Sequence, residues 1–234
     1  MTKIEKNIEI DANFPNYRLK ISDDSPARDK AIRDPERTSA AILAAATREF
    51  AENGYGGARI NEIAARADVN KRMLYHYYGG KDALYLAVLE STYVGIRSAE
   101  VNLHLTDRDP VDAIRELARF TWQYFLDHPE FLSIISTENL LKAKFLKQCP
   151  GITEKHSPLI ATITEVLERG HRAGHFRAGA DAVQIYLSIA ALGYYYLSNH
   201  YTTSIIFNRD MVKPEELQRW GTHIADMIVS SLRP

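Results

Sequence analysis

Residues 42–89 of the 234-residue chain read ILAAATREFAENGYGGARINEIAARADVNKRMLYHYYGGKDALYLAVL. A helix that packs on one face repeats its buried positions every three or four residues. The first run with this spacing contains Ile60, Ile63, Ala64 and Ala67. Asp68 and Val69 interrupt the run, and a second one with Leu74, Tyr77 and Tyr78 follows. The spacing therefore predicts two short helices joined by a tight turn.

Helices this short need other elements to pack on. The preceding helix offers an apolar stripe, which consists of Ile42, Ala45, Ala46, Phe50 and Ala51. We expect it to end at Asn53-Gly54, because glycine can take the left-handed C-cap conformation. The following helix, from about Asp82, offers Leu84, Ala87 and Val88, and Gly79-Gly80 allows a sharp entry. The stretch is typical of a helix-turn-helix with a supporting helix on each side.

The charges outside the apolar stripe point to a function. Between Val69 and Lys81 the cations are Lys71, Arg72 and Lys81 itself, and there is no acid. The same segment carries three polar aromatic residues, Tyr75, His76 and Tyr77. Such a face suits a phosphate-lined DNA groove, although composition alone leaves a solvated basic face as an equal alternative.

The stretch resembles the DNA-binding domain of the TetR family of bacterial transcriptional regulators. The family pattern runs roughly G-Y-x-x-T-x-V-x-x-I-A-x-x-A-G-V-S-x-x-x-L-Y-x-Y-F-x-x-K-x-x-L. The matching positions here are Gly54, Tyr55, Ile60, Ile63, Ala64, Ala67, Val69, Leu74, Tyr75, Tyr77, Lys81 and Leu84. The resemblance implies an all-α protein of about nine helices. It also implies an N-terminal three-helix DNA-binding domain and a C-terminal helical domain for ligand binding and dimerisation.

Four positions depart from the family pattern. Ala58 replaces a Thr that would cap the second helix or contact a phosphate, and the neighbouring Arg59 is a substitute for the phosphate contact. Asp68 replaces the turn Gly and is tolerable because Asp visits the left-handed region. Asn70 replaces Ser and can also cap the recognition helix. Tyr78 replaces Phe, so its added hydroxyl needs a partner.

The resemblance implies roles residue by residue. The predicted base contacts are Lys71, Arg72 and Met73 at the start of the recognition helix, with His76 as a further candidate. The predicted phosphate contacts are Arg59, Asn70, Tyr75, Tyr77 and Lys81. For Tyr77, core packing is an equal alternative.

Composition limits the other functions. A hydrophobic content of 45% supports a sizeable core, and the net charge of −1 means that DNA affinity must come from a local patch. The single cysteine, Cys149, excludes an internal disulfide framework and fits a reducing cytoplasm. We find no run near the ~18 apolar residues that a membrane span requires and no signal-peptide core. The sequence predicts a cytoplasmic protein without a cofactor.

The chain divides into three predicted segments: a partly disordered extension over 1–33, the DNA-binding domain over 34–80 and the C-terminal domain over 81–234. Prolines 35, 110, 129, 158 and 214 stand where the first residue of a helix would, and three of them follow the N-cap residues Asp34, Asp109 and Ser157. They predict helices over 110–127, 129–147, 158–173, 181–206 and 214–232, after a fourth helix that ends near 103.

The last two predicted helices carry more apolar surface than one small bundle needs. We interpret them as a two-fold dimer interface, formed by Ala190, Gly193, Leu197, Leu217, Trp220, Ile224, Met227 and Ile228. Core packing within one chain is the alternative. Aromatic walls with few polar groups also predict a pocket for an apolar or aromatic effector. Its candidate residues are Trp122, Phe125, Ile134, Glu138, Leu141, Phe145, Tyr186, Tyr194 and Asn199. Glu138 has the alternatives of pairing with Lys142 or lying at the surface.

Catalytic and metal sites have weak support. His171 and His175 have the spacing of a metal pair, but Gly170 and Gly174 adjoin them and no acid lies between them. Cys149 lacks an evident activating histidine. The sequence predicts a homodimeric, ligand-responsive regulator, a repressor released from a palindromic double-stranded DNA operator. The alternatives are an enzyme or carrier with a helical pocket that does not act on DNA, and an architectural DNA binder without a ligand.

Overall fold

The computed structural model describes residues 35–149 and 152–234, with the side chains of 152–157 excepted, so the predicted extension over 1–33 and the cap Asp34 lie outside the described residues. Within the described part the chain forms nine α-helices, two 3-10 turns at Leu105–Asp107 and Leu146–Gln148, and no strand. The helices are α1 Pro35–Gly57, α2 Ile60–Arg66, α3 Lys71–Tyr78, α4 Lys81–Val101, α5 Pro110–Asp127, α6 Pro129–Leu140, α7 Ile152–Arg172, α8 Ala182–Ile206 and α9 Pro214–Ser231. The prediction of an all-α fold is confirmed.

The first helix has a break where the sequence predicts its end. Gly54 has a φ of 63° and a ψ of 174°, which interrupts the helical geometry of α1. The positive φ is the feature that requires glycine, although ψ differs from that of a left-handed helix. One further turn, residues 55–57, leads to α2. The predicted stripe faces inward, since Ile42, Ala46 and Phe50 are fully buried.

Of the four helix starts predicted from prolines after Pro35, three are correct and one is wrong. Asp109 caps α5 through hydrogen bonds from the Val111 and Asp112 amides, and α6 and α9 begin at Pro129 and Pro214. The predicted start of a helix at Pro158 is wrong, because α7 begins at Ile152 and carries Pro158 inside. A proline in the second turn removes one helical hydrogen bond without ending the helix.

The predicted helix over 129–147 is also too long. It ends at Leu140, and Lys142 and Ala143 then adopt positive φ values of 56° and 58°. The Glu138 carboxylate accepts hydrogen bonds from the Phe145 and Leu146 amides, at 2.8 and 2.9 Å. These bonds replace the helical ones that the turn loses, so this buried acid holds the chain reversal after α6.

Two large apolar clusters organise the helices. The recognition core comprises Ile42, Ala45, Ala46, Phe50, Ala58, Ile63, Leu74, Leu84, Tyr85, Val88, Leu89, Ile134, Phe145 and Cys149. The central core combines side chains of α5, among them Leu117 and Trp122, with side chains of α7, α8 and α9, among them Ile163, Ile189 and Ile224. The recognition core includes Ile134 and Phe145. It therefore extends beyond the predicted domain boundary at 80/81. Helix α1 accordingly packs on α6 as well as on α2 and α4.

Candidate nucleic-acid interface

The recognition helix α3 is held by its cap and by one deeply buried side chain. Asn70 adopts an extended conformation, and its Oδ1 accepts a hydrogen bond of 2.9 Å from the Arg72 amide. Leu74 is fully buried in the recognition core. In the turn before α3, Asp68 has a φ of 51°, the left-handed conformation predicted at this departure from the family pattern. The cap and the turn therefore both form as the sequence predicts.

The outer face of α3 carries the predicted base contacts. Lys71, Arg72 and His76 are exposed, whereas Met73 is half-buried. The two cations occupy the first turn, so their long side chains project from the end of the helix that a helix-turn-helix inserts into the major groove. Because no acid lies in α3, this end of the helix is locally basic.

The predicted phosphate contacts lie around the recognition helix. Arg59 is exposed beside the start of α2, and Tyr75 is 46% exposed on α3. Lys81 is the first residue of α4, and its ammonium lies 4.9 Å from the centre of the Tyr55 ring. Tyr77 is half-buried against the recognition core, which leaves both of its predicted roles open.

Tyr55 fixes the neighbourhood of Lys81. Its hydroxyl donates a hydrogen bond to Asp82, and burial together with this bond raises the pKa of Tyr55 to about 12. The hydroxyl therefore stays protonated at neutral pH. The Tyr55 ring packs against Phe145 and Tyr85 at centroid distances of 4.8 and 5.2 Å. The start of α4 is thus anchored to the recognition core while Asp82 and Ala83 remain exposed.

Sequence reasoning missed Glu49, which supports α2. Its side chain is 2% exposed, and Oε1 accepts a hydrogen bond of 3.1 Å from the Arg59 amide. Arg66 at the end of α2 lies 3.3 Å from Oε2. Glu49 thus satisfies an amide at the start of α2, where Ala58 lacks the hydroxyl that is usual in the family. Its position seven residues after Ile42, within the apolar stripe, was the available signal.

The hydroxyl that Tyr78 adds to the family pattern has a partner. It lies 2.9 Å from Ser39 Oγ and donates to the Ser39 carbonyl oxygen at 3.0 Å. The residue thereby ties the end of α3 to the start of α1. This cross-link orients the recognition helix relative to its supporting helix.

The nine predicted pocket residues lie in separate clusters. Ile134, Glu138, Leu141 and Phe145 line the recognition core or its edge. Trp122 belongs to the central core, whereas Phe125 stacks on Phe131 in a third cluster at 5.6 Å. Tyr194 contacts Ser136 Oγ at 2.6 Å, Asn199 donates to the Tyr195 carbonyl oxygen, and Tyr186 accepts a hydrogen bond from Arg97. A shared pocket role for these nine residues remains a prediction.

The predicted dimer residues divide between the core and the surface of one protomer. Ile224 and Ile228 are 1% and 3% exposed in the central core. A Cβ on Gly193 would lie 3.0 Å from the Phe125 ring, so this glycine also serves packing within the chain. For Gly193, Ile224 and Ile228, these contacts fit the alternative of core packing within one chain. Ala190, Leu197, Leu217 and Trp220 are half-buried, and Met227 is exposed.

His171 and His175 do not share a helix face. Helix α7 ends at Arg172, and Gly174 follows with a φ of 76°. His171 Nδ1 lies 3.1 Å from the Phe176 carbonyl oxygen. Among the described residues we find no group of three or more potential metal ligands, and no helix there has the length and apolar character needed to span a membrane.

The chain is similar to known regulators in both halves. Residues 42–88 match the family described as bacterial regulatory proteins, tetR family, and residues 110–228 match the tetracyclin repressor-like C-terminal domain. The chain is 35% identical to the HTH-type transcriptional repressor NicS of Pseudomonas putida over 198 residues, which cover 85% of this chain and 93% of that protein. It is 39% identical to the HTH-type transcriptional repressor SCO4008 of Streptomyces coelicolor over 110 residues, 47% of this chain and 54% of that protein.

The same similarity holds for the fold. The crystal structure of the transcriptional regulator SCO4942 from Streptomyces coelicolor superimposes with a TM-score of 0.63 at 22% identity, covering 84% of this chain and 99% of that one. An exposed basic recognition helix on an all-α frame defines a helix-turn-helix DNA-binding protein. The chain belongs to the TetR family of bacterial transcriptional regulators.

Proposed function

We propose that the protein is a homodimeric repressor that binds a palindromic operator and leaves it when a small molecule binds the C-terminal helices. The observation that carries the DNA-binding part is the first turn of α3, where exposed Lys71 and Arg72 follow the Asn70 cap. Repression is supported by NicS and SCO4008, whose names describe both as transcriptional repressors.

Dimer formation is supported by apolar side chains on the outer face of α8. Val183, Leu187 and Tyr195 are 47%, 57% and 63% exposed and follow helical spacing along one side. Met227 on α9 is also exposed, at 39%. Monomeric proteins rarely expose contiguous apolar patches of this kind. We therefore centre the proposed interface on these residues rather than on the buried Gly193, Ile224 and Ile228.

A dimer also supplies the specificity that one short recognition helix lacks. Two copies of α3 can read half-sites about 34 to 36 Å apart, or at a multiple of this distance. Helix α4 begins directly after the recognition helix and extends among the C-terminal helices. An effector that shifts α4 changes the separation of the two copies of α3. A coupling of about 1 to 3 kcal/mol alters operator affinity roughly five- to 150-fold.

The DNA-binding test begins with selection from random duplexes and with the promoter region of the gene itself. The wild type should enrich one palindromic sequence. Lys71→Ala or Arg72→Ala should cost about 1 to 3 kcal/mol at the base that each side chain reads and relax the preference there. Lys81→Ala should weaken binding to all duplexes and reduce the salt slope by about one.

The exposed Lys213, at the start of α9, provides the matched control, and Lys213→Ala should leave DNA binding unchanged. Absence of sequence-specific binding by the wild type would exclude this function and favour an enzyme or carrier. Specific binding without any ligand response would favour an architectural DNA binder. If the three lysine and arginine variants behaved alike, the division between base and phosphate contacts would be wrong.

The proposed interface has its own test. Leu187→Asp places a charge on the outer face of α8 and should convert the dimer to a monomer in sedimentation analysis. Val101→Asp is the control, since Val101 is 71% exposed at the end of α4. Equal sedimentation of wild type and Leu187→Asp would place the interface elsewhere.

A further inference from the structure

A small cavity lies where the end of α4 meets α7 and the first 3-10 turn. Its volume is about 240 Å³. Its apolar wall includes Val101, Leu105, Pro158 and Leu159. Two oppositely charged side chains of α4, Arg97 and Glu100, line the same cavity. None of these residues belongs to the predicted pocket.

The two charged side chains are unusually buried. The side chains of Arg97 and Glu100 are 9% and 2% exposed, and Arg97 Nη2 lies 2.9 Å from Glu100 Oε1. The same Nη2 donates to the Tyr186 hydroxyl at 2.9 Å, and the Tyr186 ring centre lies 5.3 Å from the guanidinium carbon. The aromatic ring and the carboxylate therefore fix the guanidinium in place.

Much of the hydrogen-bonding capacity of the pair is unused. Arg97 Nε and Nη1 are buried without an acceptor, and neither carboxylate oxygen of Glu100 accepts a hydrogen bond of acceptable geometry. An ion pair out of water is stabilising only when further hydrogen bonds satisfy its remaining donors and acceptors. Burial also raises the pKa of Glu100 to about 7, against the lowering effect of Arg97. The site is thus poorly satisfied by the protein itself.

We propose that this cavity binds a small organic carboxylate, which accepts hydrogen bonds from Arg97 and presents an N–H or O–H donor to Glu100. Guanidinium groups bind carboxylates with charge-assisted hydrogen bonds, which are stronger than neutral ones. The apolar wall fits a compact body such as a single ring. A neutral apolar molecule would leave the buried donors of Arg97 unsatisfied, which costs about 1 to 3 kcal/mol per group.

The position of the cavity links it to DNA binding, and this step rests on the proposed function. Arg97 and Glu100 lie on the same continuous helix as Lys81, which adjoins the recognition helix. Arg97 lies 16 positions after Lys81, which corresponds to about 24 Å of helix. A ligand held by Arg97 and Glu100 acts on one end of α4, and the other end carries a predicted phosphate contact.

The test uses benzoate, para-hydroxybenzoate and para-aminobenzoate as probes, each compared with its primary amide. The full-length wild type should gain thermal stability from the carboxylates and little from the amides. Among the carboxylates, those with the para donor should bind more tightly than benzoate. Each carboxylate is then added to the complex of protein and operator to measure release.

Two variants of neighbouring residues should shift affinity in opposite directions. Arg97→Gln should weaken carboxylate binding about 10- to 150-fold, the range expected for hydrogen bonds to a charged group. Glu100→Gln should strengthen it, because a negative charge that competes for Arg97 is removed. A purely structural role would impair binding in both. Arg119→Gln, on the exposed face of α5, is the matched control, and Arg97→Lys replaces Arg97→Gln if the latter does not fold.

The inference is overturned if no carboxylate binds, if the amides bind equally well, or if Arg97→Gln binds like the control. In each of these cases the wild type can still bind its operator, so the proposed function survives. Conversely, if the protein bound carboxylates through Arg97 but bound no DNA, the proposed carboxylate site would stand and the proposed function would be wrong.

Discussion

The recognition helix and the end of α4 handle charge in opposite ways. Lys71 and Arg72 are exposed and remain hydrated, whereas Arg97 and Glu100 lie among apolar side chains. Exposed ions contribute little to folding stability and are free to bind phosphate. Buried ions destabilise the fold unless they are fully paired. The first arrangement suits an extended polyanion, and the second suits one small molecule that completes the hydrogen bonds.

Phe145, in the segment after α6, belongs to the recognition core and so tests how far the recognition helices depend on the C-terminal helices. It is 2% exposed and packs against Tyr55 and Tyr85 of the recognition core, with centroid distances of 4.8 and 4.9 Å. Phe145→Ala should lower the free energy of unfolding by about 3 to 5 kcal/mol and weaken operator binding. Urea denaturation and a DNA titration measure the two effects.

Leu140→Ala provides the control for Phe145, because Leu140 is 84% exposed at the end of α6. Its effect on stability should stay within about 0.5 kcal/mol. If Phe145→Ala were as mild as the control, the recognition helices would fold without support from the segment that follows α6. The predicted boundary at 80/81 would then be a true domain boundary.

The next largest expected effect is the pH dependence of the unfolding free energy that Glu100 causes. Burial raises the pKa of Glu100 from its ordinary 4.5 to about 7. Between these values the folded protein holds a proton that the unfolded chain has lost, so stability falls as pH rises through this window. The full loss is about 3 kcal/mol above pH 7. Glu100→Gln should abolish it.

The measurement is the difference in unfolding free energy between wild type and Glu100→Gln from pH 4 to 8. The difference should grow with pH in favour of the variant. Glu168→Gln, an exposed change on α7, controls for the loss of a carboxyl group. A difference that is flat with pH would mean that Glu100 is ionised throughout and well satisfied.

Packing in the central core should be separable from DNA recognition. A Cβ on Gly221 would lie 2.5 Å from Cδ1 of Trp122 and 2.7 Å from its Nε1. Gly221→Ala should therefore destabilise the protein by about 1 to 3 kcal/mol through overpacking, without changing base preference. Gly56→Ala is the control, since its added methyl meets no atom within 4 Å. A changed operator preference in Gly221→Ala would show that central packing reaches α3.

The sequence predicts the recognition helix well because its determinants are local. Three predicted features depend on neighbours within a few residues: the buried position of Leu74, the cap at Asn70 and the left-handed turn at Asp68. All three are confirmed. The errors arise where distant contacts decide. The run over 129–147 keeps an apolar period, yet the Glu138 carboxylate satisfies a chain reversal that periodicity does not reveal.

The C-terminal residues illustrate the same limit. Trp122 and Ile224 have the residue types of a pocket and an interface, but they lie in the central core because α5 packs against α8 and α9. Arg97 and Glu100 look like an ordinary surface pair three residues apart on a helix. Only the packing of α7 and the 3-10 turn around them encloses their charges.

The smallest expected effect is also the one that best isolates the recognition region. Asn70 caps α3 with a side-chain oxygen, so Asn70→Ala should cost about 1 kcal/mol of stability. Asn70→Ser keeps an accepting oxygen and should retain most of that stability. Asn70→Asp also keeps the cap, and its charge favours the helix N-terminus, but it places an anion where a phosphate contact is predicted. We therefore expect Asn70→Asp to fold as stably as the wild type while binding every duplex more weakly. Urea denaturation beside a DNA titration distinguishes the two roles: equal DNA affinity of Asn70→Asp and wild type would confine Asn70 to capping and remove it from the phosphate contacts.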